Sequence, residues 1–225
     1  MKDFTEGSAP WFDSRDKITN IEVGDGVTRI GDFAFYKLEK MENASVATTV
    51  TEIGKGAFMS CSMYAEFKIP DSVKTIGQQA FRYCSKLLYV ILPNDVTSIG
   101  SQAFDNCNSL VTVTFQDNVQ SVGESAFGDC SALSDVFYQG TRALSGDAFK
   151  DCGDLVICPG PGYQGDTFLS RYVTSENTLC EQWVLHFDEF CLKPAAIFDP
   201  TYGTAFIGVD SNTAREWAEH STGCV

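Results

Sequence analysis

The sequence predicts an α/β solenoid, a right-handed coil with a parallel β-sheet on one face and a strand and helix region at its C-terminal end. Three observations lead to this prediction. The hexapeptide Ile-Gly-x-x-Ala-Phe recurs at a nearly constant spacing, the residues before it alternate between apolar and polar, and in two copies a proline follows that alternating stretch. Such a period is typical of repeats that bury their apolar faces only against their neighbours.

The hexapeptide occurs six times along residues 30–149. Successive copies are 23 residues apart, except for the last, which follows after 22. They begin at Ile30, Ile53, Ile76, Ile99, Val122 and Leu144. The small alanine allows adjacent backbones to approach, and the phenylalanine fills the interior. We therefore expect an internal column of aromatic rings formed by Phe35, Phe58, Phe81, Phe104, Phe127 and Phe149.

Aligned on the hexapeptide, each unit reads L-x-x-V-x-L-P-x-x-V-x-x-I-G-x-x-A-F-x-x-C, and residues 87–107 are the cleanest copy. This pattern resembles the BspA-like leucine-rich repeats of bacterial surface proteins. The stretches Pro10-Trp11, Ile18-Thr19 and Gly26 to Gly31 also resemble the leader that often precedes such arrays. The resemblance implies a leucine-rich-repeat solenoid that serves in adhesion or in binding a host protein.

The chain divides into three predicted parts: an N-terminal cap over 1–17, six repeats with a closing strand over 18–158, and a C-terminal cap over 159–225. The closing strand is expected at 155–160. In the last part, a capping box formed by Thr178 and Glu181 precedes an apolar stripe, which predicts a helix over 178–192. A second helix is expected after Ser211, with a short strand over 206–209 leading into it.

The charge of the chain limits its partners. The formal net charge is −14, and no Lys or Arg occurs between Lys86 and Arg142. A phosphate backbone is bound by cationic groups that displace its counterions, so the sequence predicts no nucleic-acid partner. Because no run of about 18 apolar residues occurs, it also predicts no insertion into a membrane.

Motifs of enzyme chemistry are absent from the sequence. It contains no G-x-S-x-G elbow, no phosphate-binding glycine loop and no H-E-x-x-H pair, and it has two histidines only. On the predicted helix, His186 lies on a different face from Cys180 and Cys191, which argues against a catalytic Cys–His pair. We therefore predict no catalytic residues, no cofactor and no metal site.

Nine cysteines fall into two groups. Five occupy one repeat position, and we interpret them as a column of small buried thiols: Cys61, Cys84, Cys107, Cys130 and Cys152. The other four are possible disulfide cysteines: Cys158, Cys180, Cys191 and Cys224. Cys180 and Cys191 would lie about 16 Å apart along the predicted helix, too far to bond. Two pairings remain: 158–180 with 191–224, or 158–191 with 180–224.

The outward strand positions change character along the array, from polar in the first coils to apolar and aromatic later. The predicted contact residues for a protein partner are Leu88, Tyr89, Ile91, Val111, Thr112, Thr114, Asp135 and Phe137. A protein-recognition or adhesion module at the cell surface or outside the cell is the predicted function. The alternative function is an intracellular scaffold or assembly subunit with all thiols reduced. The alternative to an exposed binding surface is that the C-terminal tail folds back and covers these apolar residues.

Overall fold

Parallel strands from successive coils form two sides of the repeat array. The computed structural model describes residues 1–62, 67–160 and 162–173, together with the backbone of 196–199 and 204–207. A 3₁₀ helix, Phe12–Lys17, precedes the strands. The strands are β1 (Asn20–Val23), β2 (Arg29–Ile30), β3 (Asn43–Val46), β4 (Glu52–Ile53), β5 (Thr75–Ile76), β6 (Tyr89–Ile91), β7 (Ser98–Ile99), β8 (Thr112–Phe115), β9 (Ser121–Val122), β10 (Asp135–Tyr138), β11 (Val156–Pro159), β12 (Thr167–Phe168), β13 (Arg171–Tyr172), β14 (Ala196–Asp199) and β15 (Thr204–Ile207).

On one side of the array, β1 pairs with β3, and β6, β8, β10 and β11 form a four-stranded sheet in that spatial order. On the other side, β2, β4, β5, β7 and β9 form a five-stranded sheet. Every pairing in these sheets is parallel, and residues one repeat apart are partners, as Tyr89 and Thr112 are. The predicted parallel β-solenoid of about six turns is therefore confirmed, and the predicted closing strand is β11.

The column of phenylalanine rings predicted from the hexapeptide is confirmed. Centroids of successive rings lie 5.2, 5.3, 5.0, 5.0 and 5.7 Å apart from Phe35 to Phe149. In the middle of the column the ring planes are within 6° of parallel. Burial of each ring stabilises the array by about 2–3 kcal/mol. Because each ring contacts the one before and the one after, this stabilisation is shared between neighbouring coils.

The glycine of the hexapeptide allows the close approach of adjacent coils. A Cβ atom placed on Gly100 would lie 2.4 Å from the backbone nitrogen of Gln78 and 2.6 Å from the carbonyl carbon of Gly77. Gly77 and Gly123 meet the preceding coil in the same way. At this position a side chain would therefore crowd the preceding coil.

The N-terminal segment takes the place of a preceding coil. A Cβ atom on Gly31 would collide with the carbonyl of Lys2, and the amide of Phe4 donates to Asp32 O at 2.9 Å. Trp11 stacks on Phe35 with ring centroids 6.0 Å apart, and its indole Nε1 donates to Ala34 O at 2.7 Å. The segment thus extends the ring column by one member and covers the first coil.

The helical component of the predicted α/β class is limited to one 3₁₀ helix within residues 1–62, 67–160 and 162–173. Each coil turns through residues with positive φ, such as Gln79 at 58° and Tyr83 at 60°. An α-helix requires a continuous run of residues with right-handed backbone dihedrals. Residues in the left-handed region, spaced four apart, break that run. The turns between the two sheets are therefore non-helical there.

The chain separates into two units, Met1–Ser175 and Glu176–Val225. In the first, Phe168 of the β12–β13 hairpin is fully buried, and its ring stacks on Tyr138 with centroids 4.4 Å apart. In the second, β14 and β15 form an antiparallel pair. The strand predicted at 206–209 overlaps β15 (Thr204–Ile207) at residues 206–207. The predicted helices over 178–192 and after Ser211 lie outside the described residues.

Candidate functional site: the outer face of the strands

Strand alternation builds one continuous outer surface on the four-stranded sheet. Val90, Val113, Val136 and Ile157 point into the hydrophobic core, so the residues on either side of them point outward. The strand register arranges these residues in two outward rows. The first row consists of Tyr89, Thr112, Asp135 and Val156, and the second of Ile91, Thr114, Phe137 and Cys158. We call these two rows, together with Leu88 and Val111, the strand face.

Five of the eight predicted contact residues are half-buried, as an accessible surface requires: Leu88, Tyr89, Ile91, Val111 and Asp135. The expectation that the other three are exposed is wrong. Only 7% of the surface of Thr112, 1% of that of Thr114 and 6% of that of Phe137 is exposed to solvent. The register explains why the two threonines are buried. Thr112 lies between Tyr89 and Asp135, and larger side chains therefore flank it. Thr114 lies in the same way between Ile91 and Phe137.

Phe137 is buried without belonging to the core. It lies on the outer side of the sheet between Thr114 and Cys158, and it is not a member of the cluster that fills the interior. Tyr89, Phe137 and Cys158 each make a further interaction. The Oγ1 atom of Thr114 has no hydrogen-bond partner within the part of the chain that the structure describes.

The outer side of the first two strands has a different chemistry. Asn20, Glu22, Asn43 and Ser45 are exposed, and the side-chain amide of Asn43 donates to Asn20 Oδ1 at 3.0 Å. The predicted change from polar early coils to apolar later ones is therefore present in the structure. On the strand face, Asp135 accepts a hydrogen bond from the hydroxyl of Ser134.

The five repeat cysteines are free and buried. Each thiol donates to a phenylalanine carbonyl of the preceding coil, as Cys84 Sγ does to Phe58 O at 3.2 Å and Cys107 Sγ to Phe81 O at 3.3 Å. Burial raises the pKa of Cys84 to about 12. These thiols are structural fillers of the coil, as the thiol-column interpretation predicts.

Cys158 is disulfide-bonded, whereas none of the five repeat cysteines is. Cys180, Cys191 and Cys224 lie outside the described residues, so the two pairings allowed by the sequence stay predictions. The sequence reasoning missed that Cys158 belongs to the strand face beside Phe137. Aligning the closing strand with the sixth repeat, with a spacing of 21 residues instead of 23, would have shown it.

No group of three or more His, Cys, Asp or Glu side chains within the described residues is arranged to hold a metal ion. The same residues include no helix of sufficient length and apolar character to cross a membrane. The buried carboxylate of Asp105 has two partners: Arg82 Nε donates to it at 2.7 Å, and the side-chain amide of Asn106 donates to the same oxygen at 2.9 Å.

The sheets and the ring column define a class of protein, a parallel β-solenoid built from stacked repeats. The family model described as "BspA type Leucine rich repeat region (6 copies)" matches residues 8–134 and 51–158. The chain belongs to the BspA-type leucine-rich repeat family. The resemblance seen in the hexapeptide and its flanking residues is therefore confirmed.

Two solved structures show how far the likeness extends. The T. pallidum leucine-rich repeat protein is 30% identical, with a TM-score of 0.58 over 63% of this chain and 70% of that one. The pneumococcal vaccine antigen PcpA also gives a TM-score of 0.58, over 72% of this chain, but it is 16% identical and shares the fold alone. The chain spans 42% of the length of PcpA. A comparison with curated proteins finds no match.

Proposed function

We propose that the protein is a non-enzymatic recognition module that binds a protein partner on the strand face. The observation that carries this proposal is the row of half-buried apolar residues on the outer side of β6 and before β8: Leu88, Tyr89, Ile91 and Val111. In a solenoid, the interior rows stabilise the coils, and the outward rows are free to vary. A large aromatic residue among aliphatic ones is typical of the anchor positions of a protein interface.

The partner that fits this surface is a protein with apolar and basic groups. The whole stretch between Lys86 and Arg142 has no Lys or Arg, and it contributes Asp135 to the strand face itself. An uncompensated acidic surface attracts a basic partner and repels an acidic one. The same charge disfavours nucleic acid and anionic lipid as ligands.

Adhesion by a surface or secreted protein is the biological setting that we propose. BspA-like repeats resemble those of bacterial surface proteins, and PcpA, which shares the fold, is a pneumococcal vaccine antigen. The disulfide bond of Cys158 supports an oxidising compartment, because disulfides are rare in reducing cytosol. The alternative is an intracellular scaffold or assembly subunit, in which all nine cysteines would be reduced.

The binding surface is tested by substitutions on the strand face. A partner is first captured with the intact chain, and its affinity is then measured by calorimetry. Tyr89→Ala should weaken binding by about 1–3 kcal/mol while the array stays folded, because interface energy concentrates in aromatic anchors. The matched controls are Glu22→Ala and Ser45→Ala on the polar first strands, which should leave the affinity unchanged.

Phe137→Ala separates binding from packing. Because Phe137 is buried on the outer side of the sheet, its loss lowers affinity only if the partner reaches that position. If the Tyr89 and Phe137 variants lose thermal stability and keep their affinity, the strand face is covered within the protein itself. The recognition site would then have to lie on the loops between the two sheets.

The compartment is tested by counting thiols in protein isolated without reductant and then denatured. Two disulfides among Cys158, Cys180, Cys191 and Cys224 would leave five reactive thiols of the nine cysteines. The surface interpretation therefore expects five. A count of nine would favour the intracellular scaffold, and a count of seven would mean that Cys158 belongs to a single bridge.

A further inference from the structure

The turns that carry the hexapeptides form one side of the array. Backbone hydrogen bonds join successive turns, as from the Gln102 amide to Glu124 O at 3.0 Å and from the Tyr83 amide to Asp105 O at 2.9 Å. Two rows of exposed and half-buried residues therefore follow these turns from coil to coil, and we call them the turn face. The first row consists of Asp32, Lys55, Gln78, Ser101, Glu124 and Asp147, and the second of Lys37, Ser60, Tyr83, Asn106, Asp129 and Asp151.

The charges of the turn face are separated by sign along the array, whose coils we number by the hexapeptide that each carries. Lys37 and Lys55 lie in the first and second coils. In the third and fourth coils, both rows contain uncharged residues. Lys150 offsets part of the acidic charge at the far end of the face. The acidic residues of the fifth and sixth coils are Glu124, Asp129, Asp147 and Asp151.

These charges are not neutralised within the part of the chain that the structure describes. Neither the two lysines nor the acidic residues of the fifth and sixth coils have an ionic partner there. Lys37 Nζ lies 5.3 Å from the ring centroid of Tyr36, and Lys55 Nζ lies 5.9 Å from that of Phe33. A ring face positions a cation without cancelling its charge. No later repeat has an aromatic residue at either position, so the stacking of coils does not require these rings.

We propose that a second copy of this chain binds to the turn face, in an antiparallel dimer with a twofold axis between the third and fourth coils. An axis that lies in the face brings the first coil against the sixth and the second against the fifth, and it brings each row against itself. Lys37 then meets Asp151 of the other copy, and Lys55 meets Glu124. Because the contact is isologous, each ion pair occurs twice and association stops at the dimer.

The middle of the turn face also suits such a contact. Tyr83 is 41% exposed, and the twofold axis would bring it against Asn106 of the other copy. A tyrosine among uncharged polar groups is typical of the centre of a protein interface. The turn face lies on a different side of the coil from the strand face. The inference therefore does not depend on the proposed recognition function, and the dimer would leave both strand faces free.

Two features oppose the dimer and limit its strength. The axis brings Asp32 against Asp147, although the carboxylate of Asp32 already accepts from the guanidinium of Arg29 at 2.7 Å and from the amide of Lys55 at 2.9 Å. The net charge of −14 makes two copies repel each other. We therefore expect a weak, reversible dimer that forms as the protein concentration rises.

The experiment measures the sedimentation of the intact chain from about 1 μM to about 1 mM, the range in which a weak dimer dissociates. The expected result is a reversible equilibrium between monomer and dimer. A chain that stays monomeric throughout this range would overturn the proposal. Species that grow beyond the dimer would overturn the twofold arrangement, because a head-to-tail contact does not close.

Charge exchange between two variants tests the predicted pairing. Lys55→Glu and Glu124→Lys should each raise the dissociation constant of the dimer roughly tenfold or more, because each creates two contacts between like charges. An equimolar mixture of the two variants should associate again, since the new carboxylate of one copy meets the new lysine of the other while the native pair also forms. The double variant should likewise regain its dimer. Losses in the single variants without recovery in the mixture would contradict this pairing.

The matched controls change the net charge by the same amount at exposed positions outside the turn face. They are Lys74→Glu and Asp95→Lys, and both residues are exposed and lie before strands of the five-stranded sheet. They should leave the dissociation constant within about twofold of that of the native chain. Shifts as large as those of Lys55→Glu and Glu124→Lys would mean that net charge, and not the turn face, controls association. Salt is a less specific test, because it screens both the ion pairs and the repulsion between the copies.

Discussion

The interior of the coil and the strand face follow the same period, but they differ in the residues that the period allows. Along the ring column, the same residue type occupies all six copies from Phe35 to Phe149. Along one row of the strand face, the successive residues are Ile91, Thr114, Phe137 and Cys158. An interior side chain must match the shape of its neighbours in two coils, whereas an outward one contacts the sheet on one side only. The rows that stabilise the array are therefore different from the rows that we propose for recognition.

The largest expected effect comes from breaking the ring column in its middle. Phe81 is fully buried, with ring centroids 5.3 Å from Phe58 and 5.0 Å from Phe104. Phe81→Ala should lower the free energy of unfolding by about 3–5 kcal/mol, because it removes buried surface and leaves a cavity between two coils. The measurement is chemical denaturation followed by circular dichroism.

The matched control for this variant is another aromatic residue of the same coil. Tyr83 is 41% exposed and packs against the guanidinium of Arg82 on the surface. Tyr83→Ala should lower the free energy of unfolding by less than about 1 kcal/mol. Equal losses in the two variants would contradict a column that carries the stability of the array.

A smaller effect is expected where two coils meet at a glycine. In Gly100→Ala the new methyl group would lie 2.4 Å from the backbone nitrogen of Gln78, so the coils must separate. We expect a loss of about 1–3 kcal/mol, as for an overpacked core. Gly24→Ala is the control, because a Cβ atom there has no neighbour within 4 Å. The measurement is the melting temperature of the two variants. An unchanged melting temperature in Gly100→Ala would show that the coils are less tightly stacked than the structure indicates.

The sequence predicted the interior of this protein better than its surface. Six copies of Ala-Phe were enough to predict the ring column, because a repeated interior position has a single environment. The exposure of Thr112, Thr114 and Phe137 was not predictable in the same way, since it depends on the partners that the register places beside them. The place of Cys158 in the strand face was missed because the closing strand breaks the 23-residue period.

The absence of helices from the turns that the structure describes has a similar origin. Residues such as Ser60 and Asn106 adopt positive φ although they are not glycine. The side chain of Ser60 does not indicate this conformation, whereas asparagine adopts it more often than most residues do. Backbone hydrogen bonds between coils stabilise it at both positions, as the bond from the Ser60 amide to Arg82 O at 2.8 Å does. The stacking of coils overrides the local conformational preference of these residues. Their positive φ can therefore be predicted only from the array as a whole.

The smallest expected effect tests that backbone strain and has the opposite sign. Ser60 has a φ of 60°, a region that costs an L-residue roughly 1 kcal/mol and costs glycine nothing. Ser60→Gly should therefore raise the free energy of unfolding by about 0.5 kcal/mol, because the relief of strain exceeds the entropy that glycine adds to the unfolded chain. Ser85→Gly, in the corresponding turn of the next coil, is the control, since Ser85 is not in the positive-φ region, and this variant should lose about 0.5–1 kcal/mol. Denaturation midpoints that fall in both variants would mean that the left-handed turn at Ser60 carries no strain for glycine to relieve.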